Sequence, residues 1–240
     1  MLRKISLAAG ICLCSIFCVA QQKADDLPDS YKTALTTNFA KVVRVHYGPY
    51  EKVPVHNHPE APTVFVYLND SGPVQITHYD GKVTSIVRPP THKGAYRVSA
   101  GKMERHSVEN LSALPSDFLR VELPGFRVED PNLEFRGKAP EDLSHDISAV
   151  EFKLPGLTIT RVVCVDATPC EVQRPSAQAI VVAFSDGVLN EKSGADEKRA
   201  ELKPGDVMAV QAASALSLSA AGREGAHILV ISVEDEPRQR

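Results

Sequence analysis

The sequence predicts an all-β protein whose mature part is two tandem barrels. Three observations carry this. Val, Ile and Thr recur in short runs punctuated by 17 Pro and 14 Gly, a composition of many short strands. Nowhere does a helical period run long enough to supply crossover helices between parallel strands. Two sets of strand signals also follow one another in the same order, which marks a duplicated unit.

The chain opens with a segment unlike the rest. Arg3 and Lys4 are followed by an apolar run over residues 5–19, and Cys18-Val19-Ala20 offers a small-residue cleavage site before Gln21. The run is shorter than the ~20 residues a spanning helix needs. Bulky Phe17 before Cys18 argues against a lipid-modified cysteine. Residues 1–20 are therefore expected to be a cleaved signal peptide, giving a periplasmic or secreted protein without stable membrane insertion. Residues 21–40 are polar and read as a loose leader or a short edge element.

The first set of strands occupies residues 41–124. Residues 41–47 (KVVRVHY) alternate, and residues 63–68 (TVFVYL) form an apolar run ending at the turn Asn69-Asp70-Ser71-Gly72. Residues 74–78 and 82–87 flank Tyr79-Asp80-Gly81, a strong hairpin cue because such turns need φ > 0. Residues 94–98 and 118–123 (FLRVEL) complete the set. Residues 125–155, rich in Pro and charge, read as a linker. The second set, within residues 156–235, places strands at 157–165, 179–184, 199–202, 207–210, 216–219 and 227–233. Arg44-Val45 aligns with Arg161-Val162, VFVYLNDSG from Val64 with IVVAFSDG from Ile180, Gly94 with Gly205, and LRVEL with LVISV.

Several function classes are excluded early. A net charge of -3 with no long basic run offers no general attraction to nucleic acid. The absence of Trp removes an aromatic stacking platform for single strands. Three of the five cysteines leave with the signal peptide, so Cys164 and Cys170 remain, six residues apart in an oxidising compartment. They are expected to form a disulfide across residues 166–169, with two unpaired thiols as the alternative, since sequence alone does not give their Cα separation.

The chemistry concentrates in three histidines: His56 and His58 in PVHNHPE, and His106 in RHSVENLS. On a strand, positions 56 and 58 share a face while Asn57 points away. Two imidazoles on an inward face, joined by a third from a later strand, suit zinc, iron, copper or nickel. With eight His in the chain, an H-x-H arises by chance in roughly a quarter of such sequences, so the surroundings must add weight. They do: His106 is followed by Asn110 at H-x-x-x-N, and a hairpin separates it from the H-x-H pair.

In these motifs the chain resembles the cupin superfamily, whose fold is a small jelly-roll barrel. Gly48, His56, His58 and Gly72 follow that family's first motif with altered spacing. Gly94, Gly101, His106 and Asn110 follow its second. The resemblance implies two jelly-roll barrels, metal ligation by His56, His58 and His106, and edge-to-edge pairing into a homodimer. The implied cofactor is a divalent transition metal (Fe, Zn, Mn, Ni or Cu), or none where the site is vestigial. The family's Glu falls here at Pro62 or Thr63, neither a carboxylate. A general base is then missing too, with Glu60, Glu104, Tyr47 and His46 as conceivable substitutes.

Glu60, Thr63, Phe65, Tyr67 and Asn110 are expected to line the pocket. His46 reads as a barrel-lining polar residue, His78 and His92 as solvated beside turns, and His145 and His227 as structural. The charges from Glu191 to Glu201 read as a solvated hairpin tip. Counterparts of the three His in the second barrel fall near Val172, Gln173, Arg174, Pro175 and Ser217, so that barrel is expected to be structural, supporting the first or covering a sheet face. Two functions follow. One is an exported metal-dependent cupin that binds or transforms a small molecule, of oxygenase or isomerase type if an enzyme. The other is a non-catalytic ligand-binding or structural module with an eroded site. No catalytic residue is singled out.

Overall fold

The computed structural model describes residues 27–222 and 225–234. The expected signal peptide lies outside the described residues. Among these residues there is no helix, and so none long and apolar enough to cross a membrane.

The first barrel begins with β1 (Tyr31–Thr36), β2 (Lys41–Tyr47), β3 (Lys52–His58), β4 (Thr63–Tyr67) and β5 (Val74–His78). It continues with β6 (Thr84–Arg88), β7 (Tyr96–Ser99), β8 (Glu104–Asn110), β9 (Ser116–Glu122) and β10 (Glu134–Gly137). These form a six-stranded sheet, β1-β2-β9-β4-β7-β10, facing a four-stranded one, β3-β8-β5-β6.

The second barrel comprises β11 (Ile147–Leu154), β12 (Leu157–Cys164), β13 (Cys170–Val172), β14 (Gln178–Ala183) and β15 (Gly187–Ser193). β16 (Asp196–Leu202), β17 (Val207–Val210), β18 (Ala215–Ala220) and β19 (Ala226–Val233) complete it. Its sheets run β11-β12-β19-β14-β17 and β13-β18-β15-β16. Each order repeats that of the first barrel with every label raised by ten, and β10 is the one addition. The architecture is an all-β jelly roll, made twice.

The largest core lies between the barrels. Val42, Val64, Val66, Leu119 and Val121 of the six-stranded sheet, with Leu123 just past β9, pack against Leu157, Ile159, Ile180, Val182, Leu229 and Ile231 of the five-stranded sheet. The second barrel thus covers one sheet face of the first. This explains why all five residues of β4 are buried. Val64 and Val66 point into the seam, while Phe65 and Tyr67 point into the lumen of their own barrel. A strand with both faces covered reads as a continuous apolar run rather than an alternating one.

The two lumens differ in chemistry. That of the second barrel is filled by aliphatic side chains such as Val162, Val181, Leu189, Leu218 and Ile228. That of the first holds Tyr31, Tyr47, Phe65, Tyr67 and Phe118, with polar groups among them.

Some sequence expectations need correction. The segment 21–40 contains β1, which pairs with β2 in the register Tyr31↔Val45. The expected linker, residues 125–155, supplies β10, which pairs with β7, and the whole of β11, which pairs with β12. These segments are charged because they form sheet edges, each with one exposed face. Strands β13 and β15 were not anticipated. Glu191 in β15 is buried, not solvated: its carboxylate accepts from the Gln211 backbone N–H and the Ser214 hydroxyl. The sulfurs of Cys164 and Cys170 are bonded, with Cα atoms 6.1 Å apart.

Candidate metal centre

Strands β3 and β8 pair antiparallel, with His56 directly opposite His106. His58, two residues on, shares the inward face, and the three side chains offer nitrogens all within 4.8 Å of one another. They are buried, with 3%, 2% and 5% of their surfaces exposed for His56, His58 and His106. Burial lowers all three pKa values, that of His106 to about 3, with the Arg120 charge adding to the effect. Neutral imidazole is the protonation state a metal ligand requires.

The His56 ring is held in one tautomer. The register of β3 slips between Val53 and His56, and His56 Nδ1 donates to the Pro54 carbonyl at 2.8 Å. Nε2 therefore presents its lone pair, 3.0 Å from His58 Nε2. A hydrogen bond of this kind, made by the ring nitrogen that faces away from the metal, orients metal-ligating histidines.

These residues fit a cation. His58 Nδ1 and His106 Nδ1 are buried without a hydrogen-bond partner. Each unsatisfied buried polar group costs about 1–3 kcal/mol. Three buried, neutral imidazoles offering nitrogens within 4.8 Å of one another form the kind of donor set a transition metal takes.

Four further polar side chains reach the same lumen or its edge, and sequence reading did not find them. Tyr31, from β1, donates its hydroxyl to His56 Nε2 at 2.9 Å and shares a 2.7 Å hydrogen bond with the Tyr47 hydroxyl. Burial raises both phenols, so both stay protonated. Arg120 in β9 donates from Nε to Glu122 at 3.3 Å and lies over the Phe65 ring. Arg88, at the end of β6, lies over the rings of Tyr67 and Phe118, and its Nε and Nη2 have no partner. The period of two carried a usable signal: residues 120 and 122 are in phase with inward-facing Phe118. Tyr31 lay outside every motif.

Of the expected pocket residues, Thr63, Phe65 and Tyr67 share the lumen face of β4. Asn110 does not line it. Its amide donates to the Gly48 and Leu114 carbonyls, each at 2.8 Å, and ties two loops together. Glu60 is exposed in the loop after β3. His46 also points outward, toward Asp117 at 2.9 Å, because Val45 and Tyr47 take the inward phase of β2. Tyr47 does reach the site. Glu104 lies 3.5 Å from His106 Nδ1. His78 is not simply solvated: it is half-buried, opposite His106 in the ladder, with ring centres 5.7 Å apart. His92 and His145 are exposed beside Asp70 and Asp142. His227 is buried in the second barrel against Arg161.

No family model and no curated protein matches the sequence. Solved structures do match in fold. AerE from Microcystis aeruginosa is similar with a TM-score of 0.59 at 10% identity, over 85% of this chain and 97% of that one. YhaK from Escherichia coli gives 0.58 at 14% identity, over 85% and 91%. Oxalate decarboxylase from Bacillus subtilis, a protein with Mn(II) centres, gives 0.56 at 13% identity, over 82% and 70%. The repeated strand order and these likenesses show that the chain shares the fold of these proteins, the double jelly roll that its sequence motifs led one to expect.

Proposed function

We propose that the first barrel is a metal-dependent site for a small anionic molecule, such as an organic acid, in an exported protein. The observation that carries this reading is the convergence of His56, His58 and His106 in one buried cluster. A divalent transition metal held there would supply Lewis-acid polarisation of a ligand oxygen and, for a redox-active ion, access to O2 chemistry.

The chain's own residues do the rest. Arg120 and Arg88 set a positive field in the lumen, and Arg88 Nε and Nη2 are free to donate to an anion. Glu122 orients Arg120 through its carboxylate. Phe65, Tyr67 and Phe118 pack in the lumen and give it apolar walls, an environment that strengthens these charge interactions. Tyr31 and Tyr47 place two hydroxyl groups at the histidine cluster.

The test is a screen of small mono- and dicarboxylates by thermal shift on metal-loaded protein, beside Arg88→Gln and Arg120→Gln. A shift in wild type that either substitution abolishes supports the reading. Equal shifts in all three proteins count against it.

A non-catalytic binding module is a second reading, favoured by the converging ligand set holding no carboxylate: Glu60 is exposed, Glu122 engages Arg120 and Glu104 falls outside the set. Ligand binding without turnover under air would select it. Export is supported by residues 1–20 and by the Cys164–Cys170 bond. Mass measurement of periplasmic protein beginning near Gln21 tests it, and an intact N-terminus in the cytoplasm would refute it.

A further inference from the structure

The motif that places His56 and His58 leaves its carboxylate position to Pro62 or Thr63, so the metal lacks an anionic protein ligand there. We propose that Tyr31 supplies it, as a phenolate oxygen from β1 that completes a three-histidine, one-tyrosine set. This rests on the metal-site reading above and adds a residue to it.

The first argument is distance. With metal–ligand bonds of about 2.1 Å, two ligand atoms at right angles around one ion stand about 3.0 Å apart. His56 Nε2 and His58 Nε2 are 3.0 Å apart. His56 Nε2 and Tyr31 Oη are 2.9 Å apart. The tyrosine oxygen therefore passes the same test as the second imidazole.

The second is the fate of a hydrogen bond. The Tyr31 hydroxyl donates to the nitrogen whose lone pair a metal would take, because His56 Nδ1 is committed to Pro54. Once that lone pair is engaged, the hydroxyl loses its acceptor. Its one other partner among the described residues is Tyr47, whose own O–H can donate to a phenolate. Ligation exchanges the phenolic O–H bond for an oxygen–metal bond, and the proton passes to water.

The third is position. Tyr31 is buried, anchored through the β1–β2 ladder opposite Val45, with ring centres 4.8 and 5.3 Å from His56 and His58. The converging ligand set among the described residues contains no carboxylate: Glu122 engages Arg120, and Glu104, 3.5 Å from His106 Nδ1, falls outside it. A hard anionic oxygen beside three imidazoles favours ferric iron or cupric copper.

The experiment loads the metal-stripped mature protein with one equivalent of Cu(II) and records copper content, visible absorption and resonance Raman spectra. Tyr31→Phe and Tyr47→Phe are treated alike. The expected result is a phenolate-to-copper charge-transfer band with phenolate ring modes in wild type and Tyr47→Phe. Tyr31→Phe should lack both and bind copper at least about ten-fold more weakly. Copper bound by wild type without phenolate modes, or modes that persist in Tyr31→Phe, would overturn the role of Tyr31 and leave the three-histidine site standing. Failure of wild type to bind copper at all would overturn both.

Discussion

Arg161 Nη1 donates a 2.7 Å hydrogen bond to His227 Nε2 in the buried seam between the barrels. The same guanidinium grips Glu151 through Nε and Nη2, at 2.7 and 3.0 Å. Gly94, from the first barrel, comes close enough that a Cβ there would lie 3.2 Å from the His227 ring. The duplicated counterpart is Arg44, whose guanidinium lies against Gly205 of the second barrel. Each barrel thus sends an arginine to a glycine of the other.

Beside the buried histidines of the first barrel, His227 contributes to the pH dependence of folding. Burial, and then the Arg161 charge, lower its pKa from 6.5 to about 3. Above pH 6.5 the ring is neutral folded or unfolded, and it contributes no pH dependence. Below that, the unfolded chain takes up a proton that the folded chain refuses, so stability falls with acidification until about pH 3. The slope for one group is at most about 1.4 kcal/mol per pH unit. His227→Gln, which still accepts from Arg161, should lessen the slope of denaturation midpoints measured from pH 6 to 4. An unchanged slope would contradict this account of the ring.

Removing the partner of Arg161 leaves a buried charge uncompensated. Glu151→Ala should cost about 3 kcal/mol in urea unfolding. A loss below about 1 kcal/mol would mean that the His227 and Lys138 contacts are sufficient for the guanidinium.

The two glycines should respond unequally to Ala. Both have positive φ, 88° at Gly94 and 86° at Gly205, so both substitutions carry backbone strain of about 1–2 kcal/mol. At Gly205 the obstacle is the end of the Arg44 side chain, which lies on an exposed residue and can swing away. At Gly94 it is the buried His227 ring. Gly94→Ala should therefore lose more stability, and equal losses would count against the seam as described.

Reduction of the Cys164–Cys170 bond should also lower stability. The loop is short, so the chain-entropy contribution is about 2 kcal/mol. Unfolding with and without reductant, beside thiol titration of the unfolded protein, measures it. Two free thiols before reduction would remove the bond from the account.

Much of the fold was legible because the duplication repeats its strand phases. Arg44 and Arg161 fall in β2 and β12, Val64 and Ile180 open matching stretches of β4 and β14, and FLRVEL and HILVISV are β9 and β19. The histidine cluster was legible because H-x-H on a strand forces two rings to one face. Tyr31 was not, because its segment is polar except where its edge strand turns inward. Arg120 and Glu122 were not, because charges opposite a Leu/Val face ordinarily mean solvent, and here that face lines a lumen. His46 was misplaced by one phase: Val45 takes the inward position, and a shift of one residue sends a side chain to the opposite face.

The most direct test is elemental analysis of the protein purified without a tag, beside His58→Ala and a His56→Ala/His58→Ala double variant. The metal-site account predicts near one transition metal per chain in wild type, with almost none in either variant. Metal content that is unchanged in the double variant, or absent from wild type even after reloading with iron, manganese, zinc or copper, would contradict it.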